Sequence, residues 1–344
     1  MTSEERSGAE ADKGVRLVAA ARDLATIFQA GNDLHVHYER VRRSAPAAEE
    51  LQCPYPGLAA FDVDQGQWFF GRDAVTADVL IRLDANLRDG RPLALVGPSG
   101  AGKSSMLNAG LLPALAQGLL AASGSRSWPR IVLTPTAQPL RSFSAEATKV
   151  AGAALESNAD PDGVWGRITE RGPIVVIVDQ LEELFTLCTD GRERRAFLDL
   201  LAALPRGNLL VFGVRSDFYT QCAGHPWLRG VLQQDQILLG PMRETELREA
   251  ILLPLRALDV EMEMEPGLVE LLLRDLGMAG TPESADEYQA GRLPLLAHAL
   301  RGWERGRAAP RRALRATPLS RFMPDWPFNE VPILVAETSA ATTS

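Results

Sequence analysis

Nine consecutive residues, Gly97, Pro98, Ser99, Gly100, Ala101, Gly102, Lys103, Ser104 and Ser105, spell GPSGAGKSS and satisfy the pattern G-x-x-x-x-G-K-[ST]. Glycines without a Cβ let successive backbone N–H groups turn inward around phosphate oxygens, and a helix that starts at the end of the run adds its own partial positive charge. Lys103 is expected to reach the outer phosphates of a nucleoside triphosphate, with the Ser104 hydroxyl on Mg²⁺. The run follows PLALV and precedes the helical pattern SSMLNAGLL, which is the strand-to-helix context this chemistry requires.

A second strand must then supply the acidic partner of the metal. GPIVVIVDQLEELF does so, with Asp179 at the carboxyl end of an aliphatic run, where ligands bind in open α/β sheets. Asp179 is expected to hold Mg²⁺ through water. Glu182 and Glu183 follow, and a carboxylate slightly further out can orient or deprotonate an attacking water; Glu182 is favoured, although paired acids also suit a solvated helix start. In LLVFGVRSDFY, Arg215 ends another buried run and has two readings, as a sensor of the outermost phosphate or as an ion-pair partner of Asp217 or Asp179.

The elements that must position these groups are strand-length aliphatic runs at 92–96, 130–133, 174–178, 209–214 and 236–240, separated by helical patterns such as AEATKVAGAALE and RERRAFLDLLAAL. Unbroken aliphatic strands joined by helices predict an α/β fold, a doubly wound parallel sheet of about five strands. From about residue 242 only helical patterns continue (RETELREAILLPLRAL, GLVELLLRDLG, LPLLAHALRGWER), predicting a helical lid. The expected organisation is a leader over 1–50, an α/β core over 51–241, the lid over 242–305 and an irregular or disordered tail over 306–344.

The 344 residues are 46% hydrophobic and 23% charged with a net charge of −8, which suits a globular chain and argues against nucleic acid or an anionic membrane as a general partner. The arginine-rich stretch RGWERGRAAPRRALRATPLSR is read as solvated. Three scattered cysteines, Cys53, Cys188 and Cys222, form no CxxC pair and suit a reducing cytosol. No apolar run approaches the ~20 residues of a membrane span, and the polar, acidic start is unlike a signal peptide, so a cytoplasmic location is expected. In the leader, the low-charge stretch from Ile27 to His37 has the composition of a segment that stacks as cross-β; a lone hairpin or linker is the alternative. His35 and His37 share a face there but lack further ligands for a metal site.

Two competing chemistries fail on the residues. A G-x-S-x-G nucleophile elbow around Ser99 needs glycine where Ala101 stands. GPSGAGKSS also resembles the loops of ABC transporter ATPases and guanylate kinases, but no LSGGQ-type signature follows and no Arg- and Tyr-rich base-binding region is present. In order and spacing, CPYPGLAAFDVDQGQWFFGRD, LVGPSGAGKSSMLNAGLLPAL, VVIVDQLEELFTLC, VRSDFYTQCAGHPWL, LLGPMRETELREAILLPL and LPLLAHALRGWER together resemble the novel STAND group of bacterial signal-transduction ATPases, relatives of the AAA+ and apoptotic ATPases. The likeness spans roughly residues 53–305.

That resemblance implies an ATP-binding, Mg²⁺-dependent ATPase of slow turnover, working as a switch: the ATP state self-associates and the ADP state is closed. FFGRD matches the family's hhGRE element, placing Gly71 and Arg72 near the nucleotide, and RLPLLAHAL matches the proline-bearing lid motif, placing Pro294 against it. The 27–37 stretch is similar to amyloid-type motifs that precede some STAND ATPases and recruit a protein effector. Members of the group usually continue into repeat sensors, so the tail after 305 reads as a truncation or a frame change. A nucleotide-dependent scaffold with little hydrolysis is the alternative function.

Overall fold

The computed structural model describes residues 53–152, 160–258, 264, 266–276 and 292–307, with the backbone of 314–318 and 332–336. The leader over 1–50, with its 27–37 stretch, lies outside the described residues, as does most of 306–344.

Helix α1 (Asp73–Asp89) leads into β1 (Leu93–Gly97), and after the glycine-rich loop come α2 (Lys103–Ser105), a π-helical segment (Met106–Leu111) and α3 (Leu112–Gln117). Then follow β2 (Arg130–Leu133), α4 (Pro139–Ala151), α5 (Pro161–Ile168), β3 (Val175–Val178), α6 (Glu183–Thr186), α7 (Gly191–Ala202), β4 (Leu209–Arg215), α8 (Tyr219–Ala223), α9 (Pro226–Gln234) and β5 (Gln236–Leu238). The five strands form one all-parallel sheet in the order β2-β3-β4-β1-β5. The chain leaves β1 for the far edge and later returns to its other side, so the order reverses at β1, and a crevice opens beyond its carboxyl end. The expected α/β parallel sheet is therefore present, with β5 shorter than its aliphatic run.

Burial on both faces explains the unbroken aliphatic strands. β1 and β3 are buried throughout, and β4 is buried up to Val214. Val176, Val178, Leu210 and Phe212 pack with Phe143 of α4, Trp165 of α5, Phe197 of α7 and Leu228 of α9 on one face. Trp165 is fully buried, meets Phe143 edge-on with ring centroids 5.2 Å apart, and donates its indole N–H to Leu200 O at 2.7 Å. At the sheet's β5 edge, the Arg82 guanidinium of α1 donates to Gln236 O at 3.2 Å.

Beyond the sheet lie α10 (Glu244–Arg256), α11 (Leu268–Asp275) and α12 (Leu293–Arg307). Leu247, Ile251 and Leu255 of α10 close a separate apolar cluster with Leu268 and Leu273 of α11 and Leu296 and Leu300 of α12. Aliphatic residues four apart recur on each helix, Leu247, Ile251 and Leu255 on α10, Val269 and Leu273 on α11, and Leu296 and Leu300 on α12.

The expectation of an irregular tail needs correction at two places. Leu314–Pro318 (β6) and Pro332–Ala336 (β7) pair antiparallel, Leu314 opposite Ala336 and Pro318 opposite Pro332. Five-residue strands within an Arg- and Pro-rich stretch are too short to leave a period that sequence reading detects.

Truncating Trp165 to alanine empties the largest fully buried side chain and orphans Leu200 O. We expect chemical denaturation to report a loss of about 3–5 kcal/mol, typical of deleting a buried Trp or Phe.

Candidate functional site

The site grows from the carboxyl ends of β1, β3 and β4. Where β1 ends, the chain turns through Gly100 (φ +75°) and Gly102 (φ +89°), left-handed conformations that glycine adopts without strain, and α2 begins at Lys103. The first N–H groups of a helix have no partner within it and so face whatever the loop encloses. Lys103 is 7% exposed, and its ammonium donates to two carbonyls of its own loop, Gly97 O at 2.8 Å and Pro98 O at 2.9 Å. Burial lowers the Lys103 pKa, while the carboxylates of Glu182 and Asp179 pull it back up.

Asp179 directly follows β3 and is 6% exposed. Burial raises its pKa, against a hydrogen bond from the Ser104 hydroxyl, one from the Gln180 N–H at 2.9 Å, and the nearby Lys103 charge. Gln180 (φ +52°) is the one non-glycine in a left-handed conformation among the described residues. That reversal lets Leu181 donate its N–H to Gly213 O at 2.8 Å and folds the chain back onto β4. Glu182 thereby reaches the end of β4, where its Oε2 accepts the Arg215 N–H at 3.1 Å. It is 5% exposed, and burial pushes its pKa up.

Glu183 starts α6, is half-buried, and accepts a hydrogen bond from the Thr186 hydroxyl at 3.0 Å. The two acids are thus distinguished: Glu182 turns in beside Lys103 and Asp179, and Glu183 stays at the rim. Arg215 forms a forked pair with Asp217, Nε to Oδ1 at 3.0 Å and Nη2 to Oδ2 at 2.5 Å, and lies over the Phe218 ring. Of its two sequence readings, the ion pair with Asp217 is the one formed, and the guanidinium still borders the cavity.

That cavity has a volume of about 400 Å³. Ser99 to Ser105, Glu182, Glu183 and Arg215 line it together with the apolar Phe61, Phe70, Met242, Pro294, Leu296 and Leu300. Pro294, on α12, faces the cavity. Arg72 does too, only 6% exposed, and its guanidinium bridges Ala101 O at 3.3 Å and Gly240 O at 2.9 Å. Gly71 has a different place: it lies where α10 comes closest, so that a Cβ there would stand 2.2 Å from Glu246 O.

Two contributors escaped sequence reading. Gly213 leaves a gap in β4 that Asp179 fills: a Cβ there would stand 3.2 Å from Leu107 Cδ1 and 3.3 Å from Asp179 Oδ1. A glycine inside a strand was its only signal. The other is the strap Tyr55–Phe61, all seven residues of which line the cavity. Its residues entered the sequence reading only as part of a family-like segment, with no role attached.

A hydroxyl and a carboxylate, Ser104 and Asp179, already hydrogen-bonded to one another beside a buried lysine, fit a hard, oxygen-liganded cation that takes its remaining ligands from phosphate and water. Among the described residues no group of three or more His, Cys, Asp or Glu could hold a metal by itself, and no helix is long and apolar enough to cross a membrane.

The sheet order, the glycine-rich turn into α2 and the strand-end carboxylates define a P-loop nucleotide-binding NTPase. The protein-family model for the novel STAND NTPase 1 matches residues 54–318, and the chain belongs to that family. No curated protein matches. Among solved structures, Drosophila ORC bound to DNA is similar over 78% of this chain and 64% of its own, at 14% identity and a TM-score of 0.47. Aeropyrum pernix ORC1 in complex with DNA is similar over 70% and 62%, at 18% identity and a TM-score of 0.45. For Aeropyrum pernix ORC2 (ADPNP–ADP complexes) the values are 71%, 65%, 16% and 0.46. The chain thus spans just under two thirds of each.

Two outcomes follow from this packing. Gly213→Val drives methyls between Leu107 and Asp179, and we expect a loss of about 1–3 kcal/mol in denaturation, typical of overpacking, with weaker nucleotide binding by calorimetry. Glu182→Gln keeps the acceptor for Arg215 N–H and removes a buried charge. Because the folded pKa of Glu182 is raised, the wild-type penalty is full above that pKa and vanishes below the unfolded value. The variant without nucleotide should therefore melt higher than wild type at neutral pH, with the gain fading as pH falls through the glutamate range.

Proposed function

We propose that the protein is a Mg²⁺-dependent ATPase of slow turnover that works as a STAND-type signalling switch, the ATP state favouring self-association and recruitment of an effector. The observation that carries this reading is the shared cavity: one volume is walled by Lys103, Ser104 and Glu182 from the sheet and by Pro294, Leu296 and Leu300 from α12. A ligand that touches both sides shifts the lid's equilibrium through its differential affinity for the two arrangements.

In this reading the loop from Gly97 to Ser105 wraps the phosphates, and Lys103 exchanges its own loop carbonyls for phosphate oxygens. Ser104 and Asp179 hold Mg²⁺, which supplies neutralisation of the developing phosphate charge. Glu182 orients the attacking water and accepts its proton, a task for which a raised pKa suits a carboxylate. Arg215 stands at the phosphate end with Glu183. Arg72 braces Ala101 of the loop against Gly240, just ahead of the lid, and Gly71 admits α10 at close range. The charged cavity-lining side chains Lys103, Glu182, Glu183 and Arg215 belong to the loop and the strand ends and Arg72 precedes α1, whereas the strap and α12 offer an apolar slot for the base, adenine here.

The domain scheme keeps the expected bounds: leader 1–50, core 51–241, lid 242–305 and tail 306–344, with the leader as the effector-recruiting part of a cytoplasmic protein. A nucleotide-gated scaffold without hydrolysis is separated from the switch by turnover. We expect Glu182→Gln to bind ATP normally and to hydrolyse it about 10²–10⁴-fold more slowly, the usual contribution of a general base; Lys103→Ala should abolish binding. Sizing should give a larger assembly with an ATP analogue than with ADP. Equal size in both states would defeat the switch, and turnover indifferent to Glu182 would defeat its assigned role.

A further inference from the structure

The strap Tyr55–Phe61 is anchored at both ends, to two different parts of the molecule. At its start the Tyr55 ring is 2% exposed within the lid cluster, and its hydroxyl donates to Ile251 O of α10 at 2.6 Å. Three residues on, Pro254 interrupts α10 and cannot donate a backbone N–H, which opens the helix ladder beside the carbonyl that Tyr55 takes up. The neighbouring Pro56 O accepts a hydrogen bond from Arg301 Nη1 of α12. Arg301's aliphatic stem runs along Gly57, where a Cβ would stand 2.9 Å from Arg301 Cδ.

At its far end the strap belongs to the sheet side. Phe61 donates its N–H to Ser105 Oγ at 3.1 Å, one residue from Ser104, and its ring meets Phe69 edge-on at 5.7 Å. Between these anchors the strap walls the cavity from within, while Leu58 is 59% exposed. It is therefore a cover about one residue thick, tied to α10 and α12 at one end and to the phosphate loop's helix at the other.

We infer that Tyr55 and Arg301 are positioning residues that latch this strap over a bound nucleotide, so that α10 and α12 cannot part from the phosphate loop without withdrawing a wall of the cavity. The inference rests on the nucleotide-binding reading above and adds the route by which lid position controls how long the nucleotide stays. Neither residue needs to touch the phosphates: each holds backbone of the strap, and their loss acts on escape rather than on entry.

The test is stopped-flow release of a fluorescent ATP analogue with Mg²⁺ from the full chain, chased with excess ATP. Tyr55→Phe keeps the buried ring and loses the hydroxyl; Arg301→Met keeps most of the stem and loses the donor. Each is expected to speed release roughly fivefold to tenfold, the scale of one lost hydrogen bond, with association within about twofold of wild type. The double variant should release little faster than the faster single one, since both open the same latch. Arg301→Lys, which retains a donor, should restore slow release. Wild-type release from either Tyr55→Phe or Arg301→Met overturns the latch, as does a lowered melting temperature without nucleotide accompanied by unaltered release. Failure of the wild-type chain to take up the analogue overturns the nucleotide reading instead.

Discussion

A buried ammonium held among its own loop's carbonyls is the interaction on which the rest of this structure depends. Taken out of water without partners, the Lys103 charge would be prohibitively expensive. Gly97 O and Pro98 O accept its hydrogen bonds, and Asp179 and Glu182 supply opposite charge. The lysine and its carbonyl acceptors come from the loop after β1 and the two acids from the turn after β3, which leans on the end of β4, so the sheet must bring β1, β3 and β4 side by side. The strand order does so by placing β4 between β1 and β3. The balance also leaves both acids harder to ionise than usual. Such frustration is common where a site is built to receive something it does not yet hold.

Much of this was legible from residue type and spacing. The glycine-rich loop carries its mechanism in its pattern, and Asp179 stands out because an aliphatic run of strand length ends on it. The five strands were legible because burial on both faces removes the alternation that a half-exposed strand would show. Sequence favoured Glu182 over Glu183 only slightly, since their distinction depends on Gln180 adopting a positive φ and on a backbone N–H of β4. Gly213 and the strap were illegible for a related reason: each matters through what packs against it from distant sequence, Asp179 in one case and Arg301 in the other. Helix α1 has a diffuse apolar stripe, and the π-helical segment after Ser105 leaves no local signature at all.

The lid was legible as helices but not as a wall. Leucine spacing marks which faces of α10, α11 and α12 are apolar, yet nothing in that spacing says that Pro294 and Leu300 look into the same cavity as Ser104. A separate tie runs through Arg72, whose guanidinium joins the phosphate loop at Ala101 O to Gly240 O, just ahead of the lid helices. A buried guanidinium with two carbonyl acceptors transmits small displacements well, because its planar fork tolerates little change in angle.

The Arg82 guanidinium on Gln236 O has a bearing on assembly. An edge strand normally advertises a row of unused carbonyls and amides to any passing chain, and β5 shortens that row to three residues and covers one of its acceptors with a charge. Templated growth by strand addition is thus discouraged on the flank nearest the phosphate loop. Copies that gather there would have to meet through side chains, exposed Leu238 and Ile81 among them.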